Sequence, residues 1–164
     1  MKESVDYAFK IAFGLLSFEQ QKKLINQKDK FGFHIHTPEA ATPKDGPSAG
    51  AAITLAFYSI LTGIPVDNKI AMTGEIDLLQ NVTEIGGLGA KLMGAKRAGA
   101  TKVLIPQDNY KDLLSLRQEE ISPEDDNFKV IPVSHFSDVL KHALIYNHES
   151  NKQNLIEEFS QIHL

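Results

Sequence analysis

Pro43-Lys44-Asp45-Gly46-Pro47-Ser48-Ala49-Gly50, followed by the apolar run Ala51 to Leu61, decides how this chain is read. The first part is too rich in breakers for regular structure, and the second has the length and hydrophobicity of a buried helix. One hydroxyl, that of Ser48, therefore stands at a loop-to-helix junction. The first turn of a helix offers backbone N–H groups without intrahelical partners, at the positive end of the helix dipole. Such donors can hold the oxyanion that develops in acyl transfer. Ser48 has two readings here: a nucleophile, or only a helix N-cap, which serine fills well. The pattern G-x-S-x-G does not choose between them. A nucleophile elbow needs a strand running straight into the serine, and Pro43, Lys44, Asp45 and Pro47 stand there instead.

Lys91 bears on that choice. It follows Gly86-Gly87-Leu88-Gly89, a stretch that permits close backbone approach, and its helical neighbours Leu88, Leu92 and Ala95 are apolar. An exposed lysine, with a pKa of about 10.4, is a poor base near neutrality. Desolvation disfavours the ammonium, and a helix N-terminus nearby repels a cation. A sheltered, uncharged Lys91 can take the Ser48 proton and later return it to a leaving amine. The alternative is a solvated surface lysine, the usual fate of that side chain.

The composition sets the bounds. The chain has 164 residues, 42% hydrophobic and 23% charged, which suits one domain with a sizeable core. A net charge of -4 argues against a dedicated nucleic-acid binder. No apolar run approaches the roughly 18 residues of a membrane span, and the first residues lack a signal-peptide pattern, so a cytoplasmic protein is expected. There is no cysteine, which removes disulfides, thiolate catalysis and cysteine zinc sites together.

Helical spacing of Val5, Phe9, Ala12, Phe13 and Leu16 predicts a long helix over roughly 3–28, with Gly14 or Ser17 as a possible break. Phe31, Phe33 and Ile35 alternate with Gly32, His34 and His36, which predicts a strand. A helix is expected from about Ser48 to Thr62, ending at Gly63. Ile70, Met72 and Ile76 to Leu79 suggest strand, with Val82 to Ile85 as a hairpin partner. Then come a helix over about 87–98, a strand at Val103 to Ile105 and a helix from Tyr110 to Leu116. An acidic loop from Gln118 to Asn127, a strand from Phe128 to Val133 and a helix from Phe136 to Tyr146 complete the order. This mixture predicts an α/β domain of the α+β type, a mixed sheet with flanking helices, and not a regular doubly wound sheet. Residues 148–164 read as a C-terminal extension.

Four motifs in this order carry a resemblance: Pro43 to Gly50, Ala71-Met72-Thr73-Gly74-Glu75-Ile76, Ile85-Gly86-Gly87-Leu88 with Lys91, and Val103-Leu104-Ile105-Pro106. Together they resemble the proteolytic domain of Lon proteases, over roughly residues 2–147. The resemblance implies that family's fold, of the ribosomal protein S5 domain 2-like type, and a serine endopeptidase with a Ser–Lys dyad. Ser48 is then the nucleophile and Lys91 the general base. The backbone of Gly46, Pro47, Ser48 and Ala49 is expected to hold the oxyanion. Thr73 matches a family threonine whose hydroxyl lies near the lysine and can orient it; the alternative is a strand-end threonine without special role. Asp45 can stabilise the loop, join the catalytic surroundings or satisfy the helix N-terminus. Glu75 reads as structural.

The resemblance also implies partners. Substrates are unfolded proteins or peptides, in protein quality control. Lon proteins carry an ATPase module ahead of this domain, so ATP is expected only through such a module, in cis or in trans, and this chain itself needs no cofactor. The family domain begins with strands earlier than Met1. Assembly into a ring, commonly a hexamer, is expected, in the cytoplasm or, in a eukaryote, the mitochondrial matrix. A non-catalytic Lon-like scaffold is the alternative from another class, although such relatives lose the serine or the lysine. His34 and His36 mimic a metal pair, but no third ligand completes a zinc site, so no metal is expected. A Ser-His-Asp esterase would have to recruit His135 or His142, which nothing in the sequence singles out. The P-loop pattern is not met near Gly89 to Lys96.

Overall fold

A computed structural model of the chain describes residues 2–26, 33–36 and 46–146. The helix expected over roughly 3–28 is broken between Gly14 and Ser17, the positions its sequence offers for a break, into α1 (Lys2–Gly14) and α2 (Phe18–Ile25). The break has a local cause. Ser17 is extended and caps α2 in a capping box with Gln20, its hydroxyl accepting from the Gln20 N–H while the Gln20 side chain accepts from the Ser17 N–H. Phe33 to His36, expected as a strand, has no regular structure. Next come α3 (Gly50–Thr62), β1 (Ile70–Met72), β2 (Glu75–Ile76), β3 (Val82–Thr83) and α4 (Leu88–Arg97). The chain continues with β4 (Lys102–Pro106), α5 (Tyr110–Gln118), β5 (Lys129–Val133) and α6 (Phe136–Ala143). Gly63 ends α3 in the left-handed conformation, φ 74°, as its sequence position predicts.

The parallel and antiparallel pairings fall in two small sheets. β1, β4 and β5 form a parallel sheet in the order β1-β4-β5, and β2 pairs with β3 as an antiparallel hairpin. Parallel neighbours need crossovers, and α4 and α5 lie in them. β4 is central, and its Val103-Leu104-Ile105-Pro106 is buried on both faces, the uninterrupted apolar run of an interior parallel strand. Strand alternation then divides the core. Leu104 packs with α1, α3 and α6, while Val103 and Ile105 pack with Leu88, Leu92 and Leu113 of α4 and α5. The result is an α/β domain in three layers, with one helical layer carrying α3 and the other α4. No helix among the described residues is long and apolar enough to cross a membrane.

The acidic loop after α5 is held to the domain by charge. Arg117 grips Glu124 through two bonds of 2.7 and 2.8 Å, and Lys96 at the end of α4 reaches Asp125 and the Pro123 carbonyl at 2.6 Å. The Arg117 hydrogen bonds hold the Glu124 carboxyl below its ordinary range; burial opposes this and the Ser122 hydroxyl adds to it. A carboxyl with a depressed folded value contributes stability that is present above its unfolded value, about 4.5, and is lost as pH falls through the folded value. Thermal melts between neutral and acid pH are therefore expected to fall less steeply on the acid side for Glu124→Gln than for the parent. Parallel acid limbs would refute the contribution.

Candidate active site

Ser48 lies in a tight turn and not in the helix. Gly46 adopts φ 94°, Pro47 follows, and the Gly50 N–H closes the turn on the Pro47 carbonyl at 2.9 Å. α3 starts at Gly50 with Ala49 as its cap residue, and no side chain caps it. The N-cap reading of Ser48 is thereby replaced: the serine is one residue too early, and its half-buried hydroxyl is not spent on the helix.

Lys91 is the fourth residue of α4. Gly87 precedes that helix in the left-handed conformation, φ 70°, which L side chains adopt only with strain, and its carbonyl accepts the Lys91 N–H at 3.2 Å. Leu88 and Leu92 fix the inner face of α4 in the core, at 4% and 0% exposure. On this anchored helix the Lys91 Nζ donates to the Ser48 Oγ at 3.0 Å, across 43 residues of chain. The two side chains expected to meet are in direct contact. Lys91 as a residue is half-buried, less enclosed than the sheltered environment the sequence suggests.

Thr73 is placed beside them with a different partner from the one expected. Its hydroxyl donates to the Ser48 backbone carbonyl at 3.3 Å, and no described hydrogen bond joins it to the lysine. The same carbonyl accepts the Gly74 N–H at 2.9 Å, and the Gly74 carbonyl accepts the Ala51 N–H at 3.1 Å. The serine turn is thus sewn to the segment leaving β1, and Thr73 positions Ser48 through its main chain. This approach requires glycine twice. A Cβ on Gly50 would lie 3.2 Å from the Ile76 nitrogen, and one on Gly74 would lie 2.5 Å from a Val82 methyl.

The backbone donors also need correction. Pro47 has no N–H and cannot contribute to an oxyanion site. The Gly50 and Ala51 N–H groups are already engaged. The Gly46, Ser48 and Ala49 N–H groups remain, with no acceptor among the described residues. Asp45 lies outside the described residues. His34 and His36 are exposed. His135 caps α6, accepting from the Ser137 N–H, and His142 is exposed on that helix; no described contact joins either to Ser48.

A cleft of about 360 Å³ opens beside the serine turn. Its walls are α1 at Ser4 and Tyr7, the turn at Gly46, Pro47 and Gly50, and β2 at Glu75 and Ile76. Gly46, Pro47 and Gly50 on its wall flank Ser48 in the chain, while the Ser48 hydroxyl itself meets the Lys91 amine of α4.

The family model described as the Lon protease (S16) C-terminal proteolytic domain matches residues 1–146. The chain belongs to the Lon proteolytic-domain family. It is 45% identical over 146 residues to the Lon protease of Brucella abortus (strain 2308), covering 88% of this chain and 17% of the relative. It is 45% identical over 154 residues to the Lon protease of Azorhizobium caulinodans, covering 91% and 17%. It is 50% identical over 124 residues to the Lon protease of Rickettsia typhi, covering 75% and 15%. The chain spans about one-sixth of the length of these Lon proteases.

One residue of this Lon domain escapes a reading of the sequence. Asn109 is 1% exposed, in a short turn after β4. Its side chain accepts the Ile85 N–H and donates to the Ile85 carbonyl, both at 2.9 Å, and donates to Asp112 at 2.6 Å. It clamps the strand-like Ile85 backbone immediately before Gly86-Gly87 and so sets where α4 begins. Nothing local marks this clamp, because its Ile85 partners lie 24 residues away. Asn109→Ala leaves both Ile85 groups without their partner and is expected to cost about 2–3 kcal/mol in urea unfolding. A loss below about 0.5 kcal/mol, within the range of ordinary surface substitutions, would show that the clamp is dispensable.

Proposed function

We propose that this chain is the peptidase part of a Lon-type enzyme and hydrolyses peptide bonds with Ser48 and Lys91 as a dyad. The observation that carries the reading is the 3.0 Å Nζ–Oγ contact at the entrance to α3, inside a domain of the Lon family. The domain fold is read as that of the Lon proteolytic domain. Uncharged, Lys91 accepts the Ser48 proton along that line as Oγ bonds to the substrate carbonyl carbon. The N–H groups of Gly46, Ser48 and Ala49 are the donors assigned to the resulting oxyanion. Collapse breaks the C–N bond, and the proton on Lys91 goes to the departing amine. Water then attacks the acyl-ester, Lys91 again taking and returning a proton, and the free acid and Ser48 hydroxyl are restored. Thr73 acts on this sequence by fixing the Ser48 backbone.

The wider setting belongs to the same proposal. Unfolded polypeptides reach the site through an ATP-driven unfoldase, in cis or in trans, and the domains form a ring in a soluble compartment. These steps rest on the family.

A fluorophosphonate probe tests the dyad directly. Labelling is expected in the parent chain, to disappear in Ser48→Ala, and to slow by about 10²–10⁴-fold in Lys91→Ala, the usual worth of a general base. A folded parent chain that does not label favours a scaffold role. Labelling that survives Lys91→Ala but needs His135 or His142 favours an esterase-like triad.

A further inference from the structure

The cleft beside Ser48 carries one charged side chain among its described walls. Ile76 is 6% exposed and points into the core. Strand alternation sends its neighbour Glu75 the other way, and the Glu75 carboxylate is exposed on the cleft wall. The absence of a side chain at Gly50 brings β2 against the start of α3, two residues from Ser48. The acid therefore stands on a cleft walled by Gly46, Pro47 and Gly50, residues on either side of Ser48, and directly follows Gly74, whose N–H holds the Ser48 carbonyl. Around Glu75 the described walls offer the hydroxyl-bearing Ser4 and Tyr7 and no lysine, arginine or histidine. Among the described residues Glu75 has no ion-pair partner.

We propose that Glu75 is a specificity-determining residue, selecting peptides that place a cationic side chain in this cleft next to the scissile bond. The proposal rests on the peptidase reading of Ser48. A carboxylate on a concave wall attracts an ammonium or guanidinium and repels an acidic side chain, and an arginine can engage it through two parallel bonds. Exposure keeps the attraction modest and sensitive to salt.

The test uses fluorogenic peptides in which arginine, or its neutral isostere citrulline, is moved through three positions on each side of the cleaved bond. At one position the kcat/KM ratio of arginine to citrulline is expected to be about three- to tenfold, falling towards one at high salt. Glu75→Gln should reduce the ratio to within about twofold, and Glu75→Lys should favour glutamate over glutamine at that position. Glu75 is exposed, so these variants leave the core intact. A ratio that is unity at every position, or that persists in Glu75→Gln, overturns the proposal. Fluorescence polarisation of the same peptides on Ser48→Ala, with and without Glu75→Gln, separates the two layers. Flat ratios with a fluorophosphonate-labelled Ser48 sink the specificity role and keep the peptidase. An arginine preference in binding that needs Glu75, in a chain whose Ser48 never labels, keeps the cleft and sinks the peptidase.

Discussion

The seam between the serine turn and the end of β1 is the constraint on which the site depends. The Ser48 carbonyl accepts two hydrogen bonds, from the Gly74 N–H and the Thr73 hydroxyl, and the Gly74 carbonyl accepts the Ala51 N–H. Each such bond contributes about 1 kcal/mol net, but an unmet buried partner costs more, so the seam favours a single register. The Thr73 N–H is in turn bonded to the Leu104 carbonyl of β4. The position of one hydroxyl is thereby tied to the central strand of the sheet.

Lys91 is tied to the same strand from the other side. Its helix is anchored by Leu88 and Leu92 in the cluster that holds Val103 and Ile105, whereas α3 packs in the cluster that holds Leu104. The two side chains come from opposite helical layers and meet at the serine turn, which is bonded to Thr73 and Gly74 where the chain leaves β1. Neither layer alone makes the site. A substitution anywhere in β4 that shifts one face relative to the other changes the Nζ–Oγ distance without touching either group. Asn109 belongs to the same logic, since it fixes the approach to α4 from the end of β4.

Much of this was legible because local and tertiary preferences agree. The run Val103 to Pro106 reads as an interior parallel strand and is one. Gly63 reads as a helix stop and adopts the backbone that only glycine takes easily. The family motifs bring Ser48 and Lys91 into one reading, and the structure puts them in contact. The misreadings share a cause: the deciding partner is distant or is backbone. Helical periodicity runs through Leu16, and of the two breaks the sequence offers it does not show that the Ser17–Gln20 capping box starts the new helix. Alternation at Phe33 to His36 looks like a strand, but a strand is defined by its pairing, and pairing is not written in alternation. Thr73 has a neighbour that only the fold reveals, the carbonyl of Ser48, 25 residues earlier.

The start of α3 shows how small such an error can be and still matter. Serine before an apolar run predicts a cap, and a capping hydroxyl has its lone pairs turned towards its own helix. Here Pro47 and Gly50 close a turn first, and the helix begins after it. Ser48 then belongs to the turn, its carbonyl is held by Thr73 and Gly74, and its hydroxyl points to a lysine on another helix. Lys91 is only half-buried, so the protein alone does not fully enclose it. On the peptidase reading, the remaining desolvation comes from the substrate lying in the cleft. Proton transfer is then coupled to occupancy: water around the amine is displaced when there is a bond to cut.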